Sequence, residues 1–114
     1  MAEELYLLDT NILIRWLRRE VADHSMVSAA IEQLARQNAV LCFTSQNLGE
    51  LWNVLTRPAE RRLLVAHGVC GAQVHDTRLV AAMLVHGVPR ILTLNPLDFT
   101  RFDDIEAIHP LQLA

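Results

Sequence analysis

The chain has 114 residues, 52% of them hydrophobic and 20% charged, with only four Gly and four Pro. That composition supports one folded core across residues 1–114 and excludes a disordered or collagen-like chain. The formal net charge of −3 excludes capture of nucleic acid by a global basic field, so any such site must be local.

The apolar runs LYLL, VLCF and ILTL fall far short of the roughly 20 residues that a membrane-spanning helix needs. The Met-Ala-Glu-Glu start lacks the basic region of an export signal. Cys42 and Cys70 have neither C-x-x-C nor Cys/His spacing, so a reduced cytoplasmic protein without a disulfide framework or structural zinc is expected. All ten basic residues are Arg. Guanidinium forks suit phosphate and stack on bases, and a codon bias gives the same count.

In chain order, residues 5–8 predict a strand covered on both faces, running straight into Asp9-Thr10-Asn11. A helix follows from Asn11 to Leu17 with Thr10 as its N-cap. Val27, Ala30, Ile31, Leu34 and Ala35 mark a second helix, preceded by the caps Asp23 or Ser25 and closed by Asn38. VLCFT at 40–44 predicts a buried strand. Thr44 or Ser45 then caps a helix in which Leu48, Leu51, Trp52 and Leu55 share a face, ending at Arg57-Pro58. After an amphipathic piece at 61–67 with Gly68 behind it, a helix runs from about Gln73 to His86, closed by Gly87. It is apolar nearly all round, which predicts a helix wedged in the core. ILTL at 91–94 predicts a third strand, and Ala107-Ile108 a last edge strand before Pro110. Strands alternating with helices predict an α/β fold, a three-layer α/β/α sandwich with a mostly parallel central sheet.

In such sheets, ligands bind beyond the carboxyl ends of the strands. Four of the thirteen acidic residues fall at special places: Asp9 and Asp98 past strand exits, Glu50 and Asp76 near helix N-termini. Clustered carboxylates repel unless a cation neutralises them. Oxygen donors without Cys or a His pair suit Mg²⁺ or Mn²⁺ rather than zinc. A cation so held acts on phosphates by activating water and offsetting charge on the scissile group.

The segments LLDTNILIR, FTSQNLGELWNVLTRP, GAQVHDTRLVAAM and ILTLNPLDFTRF resemble the PIN-domain family of metal-dependent ribonucleases over nearly the whole chain. Within it, the likeness is to the VapC-type toxins of type II toxin–antitoxin pairs. The resemblance implies an Mg²⁺-dependent endoribonuclease with Asp9, Glu50 and Asp76 as metal-binding acids and Thr10 and Asn11 in support. It also implies a homodimer and a cognate antitoxin lying over the acidic crevice. The family's fourth acid falls in the loop after ILTL, where this chain offers Asn95 and then Asp98: either Asp98 serves, or Asn95 contributes a neutral carbonyl. Relatives carry an additional helical hairpin where Pro58-Ala59-Glu60-Arg61-Arg62 here makes a direct join.

Blander alternatives stand beside these readings. Asp9-Thr10-Asn11 alone is also a turn and cap, and Asp76 is also a carboxylate at a helix dipole. Trp16 and Trp52 read as core or interface anchors. Arg15, Arg18 and Arg19 are either phosphate contacts or a solvated face. Two rivals to the nuclease remain: an inactive PIN-like RNA- or protein-binding module, and a phosphatase with Asp9 as nucleophile. The second wants a nearby Lys, and the chain has none.

Overall fold

The computed structural model describes residues 4–56 and 72–113. The expected join at Pro58–Arg62, the piece at 61–67 and Cys70 lie outside the described residues.

The first strand, β1 (Leu5–Leu8), runs through Asp9 into α1 (Thr10–Leu17) and then α2 (His24–Arg36). Strand β2 (Val40–Cys42) leads to α3 (Ser45–Thr56), and α4 (Ala72–His86) precedes β3 (Arg90–Leu92) and β4 (Glu106–Ile108). Short 3₁₀ turns at Pro96–Phe99 and Pro110–Leu113 complete the described elements. The sheet is parallel throughout, in the order β2-β1-β3-β4. The chain therefore steps from β1 to one side, crosses back, and continues on the other. That reversal at β1 opens a crevice at the carboxyl end of the sheet.

Alternation along β1 and β3 divides the core in two. Tyr6, Leu8 and Leu92 face Ile12, Leu13, Val27, Ile31 and Leu34 of α1 and α2. Leu7 and Ile91 face Leu79, Val80 and Met83 of α4, with Phe99. Helices on both faces make the expected three layers. At the amino end of the sheet, Arg90 pairs with Glu106 at 3.7 Å and lies 5.6 Å from the Tyr6 ring centre. No helix is long and apolar enough to cross a membrane among the described residues.

The structure corrects several local expectations. Asp9, rather than Thr10, is the N-cap of α1: its carboxylate accepts from the Thr10 N–H, and its carbonyl from Ile12 and Leu13. Asn38 closes α2 as expected, at φ +61°. Strand β2 is a half-buried edge rather than a buried strand, and Phe43 beyond it is exposed. The third strand begins one residue and ends two residues earlier than predicted because Thr93 and Leu94 turn toward Asp9 and Asn11.

Helix α3 is rotated relative to its apolar stripe. Asn47 and Val54 are buried, whereas Leu48 and Trp52 are 47% and 69% exposed. Positions 47, 50, 51 and 54 form the inner face by helical spacing, so Glu50 is carried inward. Trp16 is likewise exposed, so neither Trp is a core anchor. Helix α4 is not wedged in the core: a helix in an outer layer buries only one stripe, here Leu79, Val80 and Met83, leaving Leu84 and Val85 exposed. Gly87 terminates it at φ +68°, with the Val88 N–H returning to the Met83 carbonyl.

Candidate active site

Asp9 stands where β1 ends, and its backbone N–H donates to the Leu92 carbonyl, extending the pairing of β1 with β3. Its side chain is buried. Oδ1 accepts from the Thr10 N–H at 2.7 Å, and Oδ2 accepts from the Thr93 hydroxyl at 2.8 Å. The Thr93 oxygen in turn accepts the Asn95 N–H at 3.1 Å, so the loop after β3 is oriented through the same hydroxyl. Asn11 ties that loop again, accepting the Leu94 N–H at 3.4 Å.

On the other side, α3 begins with a reciprocal cap. The Thr44 hydroxyl accepts the Asn47 N–H, while Asn47 Oδ1 accepts from both the Thr44 N–H and hydroxyl, each at 3.0 Å. This is a capping box with Asn in place of the usual Glu. Its Nδ2 donates to the Thr10 hydroxyl at 2.9 Å, and that hydroxyl donates to Glu50 Oε2 at 3.3 Å. Gln46 reaches the other Glu50 oxygen at 3.5 Å. Asp9 and Glu50 are thereby bracketed by successive hydrogen bonds through Thr10.

Asp76 is buried near the start of α4. Asp98 is exposed in the 3₁₀ turn after β3, its N–H bonded to the Asn95 carbonyl. Among the described residues, no three His, Cys, Asp or Glu side chains are grouped so as to hold an ion. Two participants escaped the sequence reading. Asn47 was signalled by its spacing of three from Thr44, and Thr93 by being the lone polar residue in ILTL. Cys42 is a free cysteine, and burial pushes its thiol pKa up, so it offers little thiolate near neutrality.

A family profile described as PIN domain matches residues 6–111. The chain belongs to the PIN-domain family. No curated protein and no solved structure matched the chain in the corresponding searches. PIN domains are generally metal-dependent nucleases, and the parallel α/β architecture of this PIN domain agrees with that membership. Its candidate site offers carboxylate, hydroxyl and carboxamide oxygens, a donor set that fits a hard divalent cation better than zinc. Asp9 and Glu50, linked through Thr10, are its charged members.

Proposed function

We propose that this PIN domain is a Mg²⁺-dependent endoribonuclease, with Mn²⁺ as a substitute, acting as the toxin of a type II toxin–antitoxin pair. The observation that carries the reading is the buried Asp9 carboxylate at the reversal point of the sheet, linked through Thr10 to Glu50 on a different helix. Asp9, Glu50 and Asp76 would hold the cation, joined by Asp98 or by Asn95 through its carbonyl. When bound, a divalent cation lowers the pKa of water and offsets charge on the scissile phosphate.

The chain's own groups supply orientation. Thr93 and the Thr10 N–H fix the two Asp9 oxygens, and Asn47 fixes the Thr10 hydroxyl that holds Glu50. Asn11 positions the loop carrying Asn95. Hydrolysis through activated water needs no covalent enzyme intermediate, consistent with a chain that lacks Lys beside Asp9.

The same proposal includes a homodimer and a cognate antitoxin in the cytoplasm. Its support is the apolar surface left open on α3 and α4, at Leu48, Trp52, Leu84 and Val85, since exposed apolar patches mark interaction surfaces. Purified protein is expected to cleave single-stranded RNA in Mg²⁺ or Mn²⁺ and to stop in EDTA. Undiminished cleavage in chelator, with contaminating nuclease excluded by an Asp9→Asn preparation, would overturn the metal mechanism.

A further inference from the structure

Beside the acidic site, a pocket of about 470 Å³ opens between α1, the start of α2, the loop after β3 and the segment following β4. It shares Asn11 and Asn95 with the site and adds Arg15, Asp23 and His109. Its volume lies in the range of sites for small organic groups, roughly 300–1,000 Å³.

The polar groups on its wall are mainly donors, the half-exposed Asp23 carboxylate excepted. His109 Nδ1 accepts the Leu111 N–H at 3.1 Å, so the neutral ring carries its proton on Nε2. Asn11 Oδ1 is engaged by the Leu94 N–H, and its carboxamide nitrogen adds two N–H donors. Arg15 is largely buried, with its side chain 18% exposed. Its Nε lies 3.8 Å from Asp23 and its Nη1 donates to the Asn11 carbonyl at 3.5 Å. Those contacts aim the guanidinium and use only part of its five-donor fork. The backbone beneath it is held too, because the Arg15 carbonyl is 2.8 Å from His24 Nδ1. Met26, Leu94 and Leu111 supply the apolar part of the lining.

A fixed cation, an N–H imidazole and carboxamides over apolar side chains match a nucleotide: phosphate oxygens for the donors, a base for the apolar wall. We propose that this pocket is a nucleotide subsite, binding the RNA strand immediately to one side of the phosphate that is cut. Arg15 and His109 hold the flanking phosphate, and Asn95 links the subsite to the acidic crevice. Of the three arginines on and after α1, the subsite uses Arg15, the one that lines the pocket. The subsite rests on the nuclease reading above and assigns its substrate-positioning residues.

The test measures binding of a short labelled single-stranded RNA by fluorescence anisotropy in an Asp9→Asn background, with Arg15→Gln or His109→Gln added. Arg15→Gln is expected to weaken binding about tenfold, as for loss of a charged hydrogen bond. It is also expected to reduce the salt dependence by about 0.7 in slope, as for one phosphate contact on a single strand. His109→Gln weakens binding less. In the parent background, Arg15→Gln should raise KM for RNA more than it lowers kcat and leave the Mg²⁺-induced rise in Tm unchanged. RNA affinity and KM unaltered by both substitutions, with metal-dependent cleavage intact, would overturn the subsite while sparing the nuclease. A parent that neither binds nor cuts RNA would overturn both.

Discussion

Asn47 Nδ2 donates to the Thr10 hydroxyl at 2.9 Å, joining the cap of α3 to the first residue of α1 across 37 positions of sequence. Asn47 is fully buried, so this bond cannot be exchanged for one to water. Thr10→Val keeps the shape and removes both the acceptor for Asn47 and the donor to Glu50. The expected cost is about 1–3 kcal/mol, the penalty for a buried polar group left unpaired. Thr10→Ser should recover most of it. Urea denaturation of the three proteins checks this, and a valine variant within a few tenths of a kcal/mol of the parent would contradict it.

Asp9→Asn tests whether the buried carboxylate serves a cation or only the cap. Asparagine retains an oxygen for the Thr10 N–H, while losing the charge that strengthens the Thr93 contact. Relief of carboxylate repulsion opposes that loss, so the metal-free protein should change by no more than about 1 kcal/mol. Saturating Mg²⁺ should raise the Tm of the parent by mass action and leave that of the variant nearly unmoved. Equal shifts in the two proteins would remove Asp9 from the metal site.

Asp98 and Asn95 should separate by readout. Asp98→Ala removes a charge and is expected to weaken the Mg²⁺-induced stabilisation and the cleavage rate. Asn95→Ala is expected to act chiefly on RNA affinity, because Asn95 lines the pocket beside Asn11. Both residues are exposed, so each variant should keep its stability within about 0.5 kcal/mol. The reverse ranking in metal titrations would assign the fourth ligand position to Asn95.

Val85 is 79% exposed on α4, beside Leu84 at 53%. Val85→Glu should therefore leave the fold intact and, if this face joins two copies, shift sedimentation from dimer to monomer. A dimer that survives the substitution would place the proposed interface elsewhere.

The layers of the fold were legible because LYLL is apolar toward both faces of a strand, while Val27, Ala30, Ile31 and Leu34 make one helical stripe. Asp9 and Glu50 were legible as candidates because strand exits and helix starts meet at one end of a parallel sheet. The rotation of α3 was not, since Leu48, Trp52 and Leu55 form the better apolar stripe. The buried bonds of Asn47 outweigh that stripe and turn Val54 inward instead. Apolar periodicity cannot express such a preference, because the deciding partner, Thr10, is remote in sequence. For α4, an all-round apolar pattern described what the helix is made of without revealing that only one layer lies beside it.

Thr93 lies 84 positions after Asp9, and β1, the first strand in the chain, is flanked on that side by almost the last. A ribosome making this protein therefore emits Asp9 long before the hydroxyl that orients it. Until β3 has emerged and docked, the nascent polypeptide has an acid at a raw sheet edge and no finished crevice. On the proposed ribonuclease reading, that order of assembly keeps the growing chain harmless to its own template.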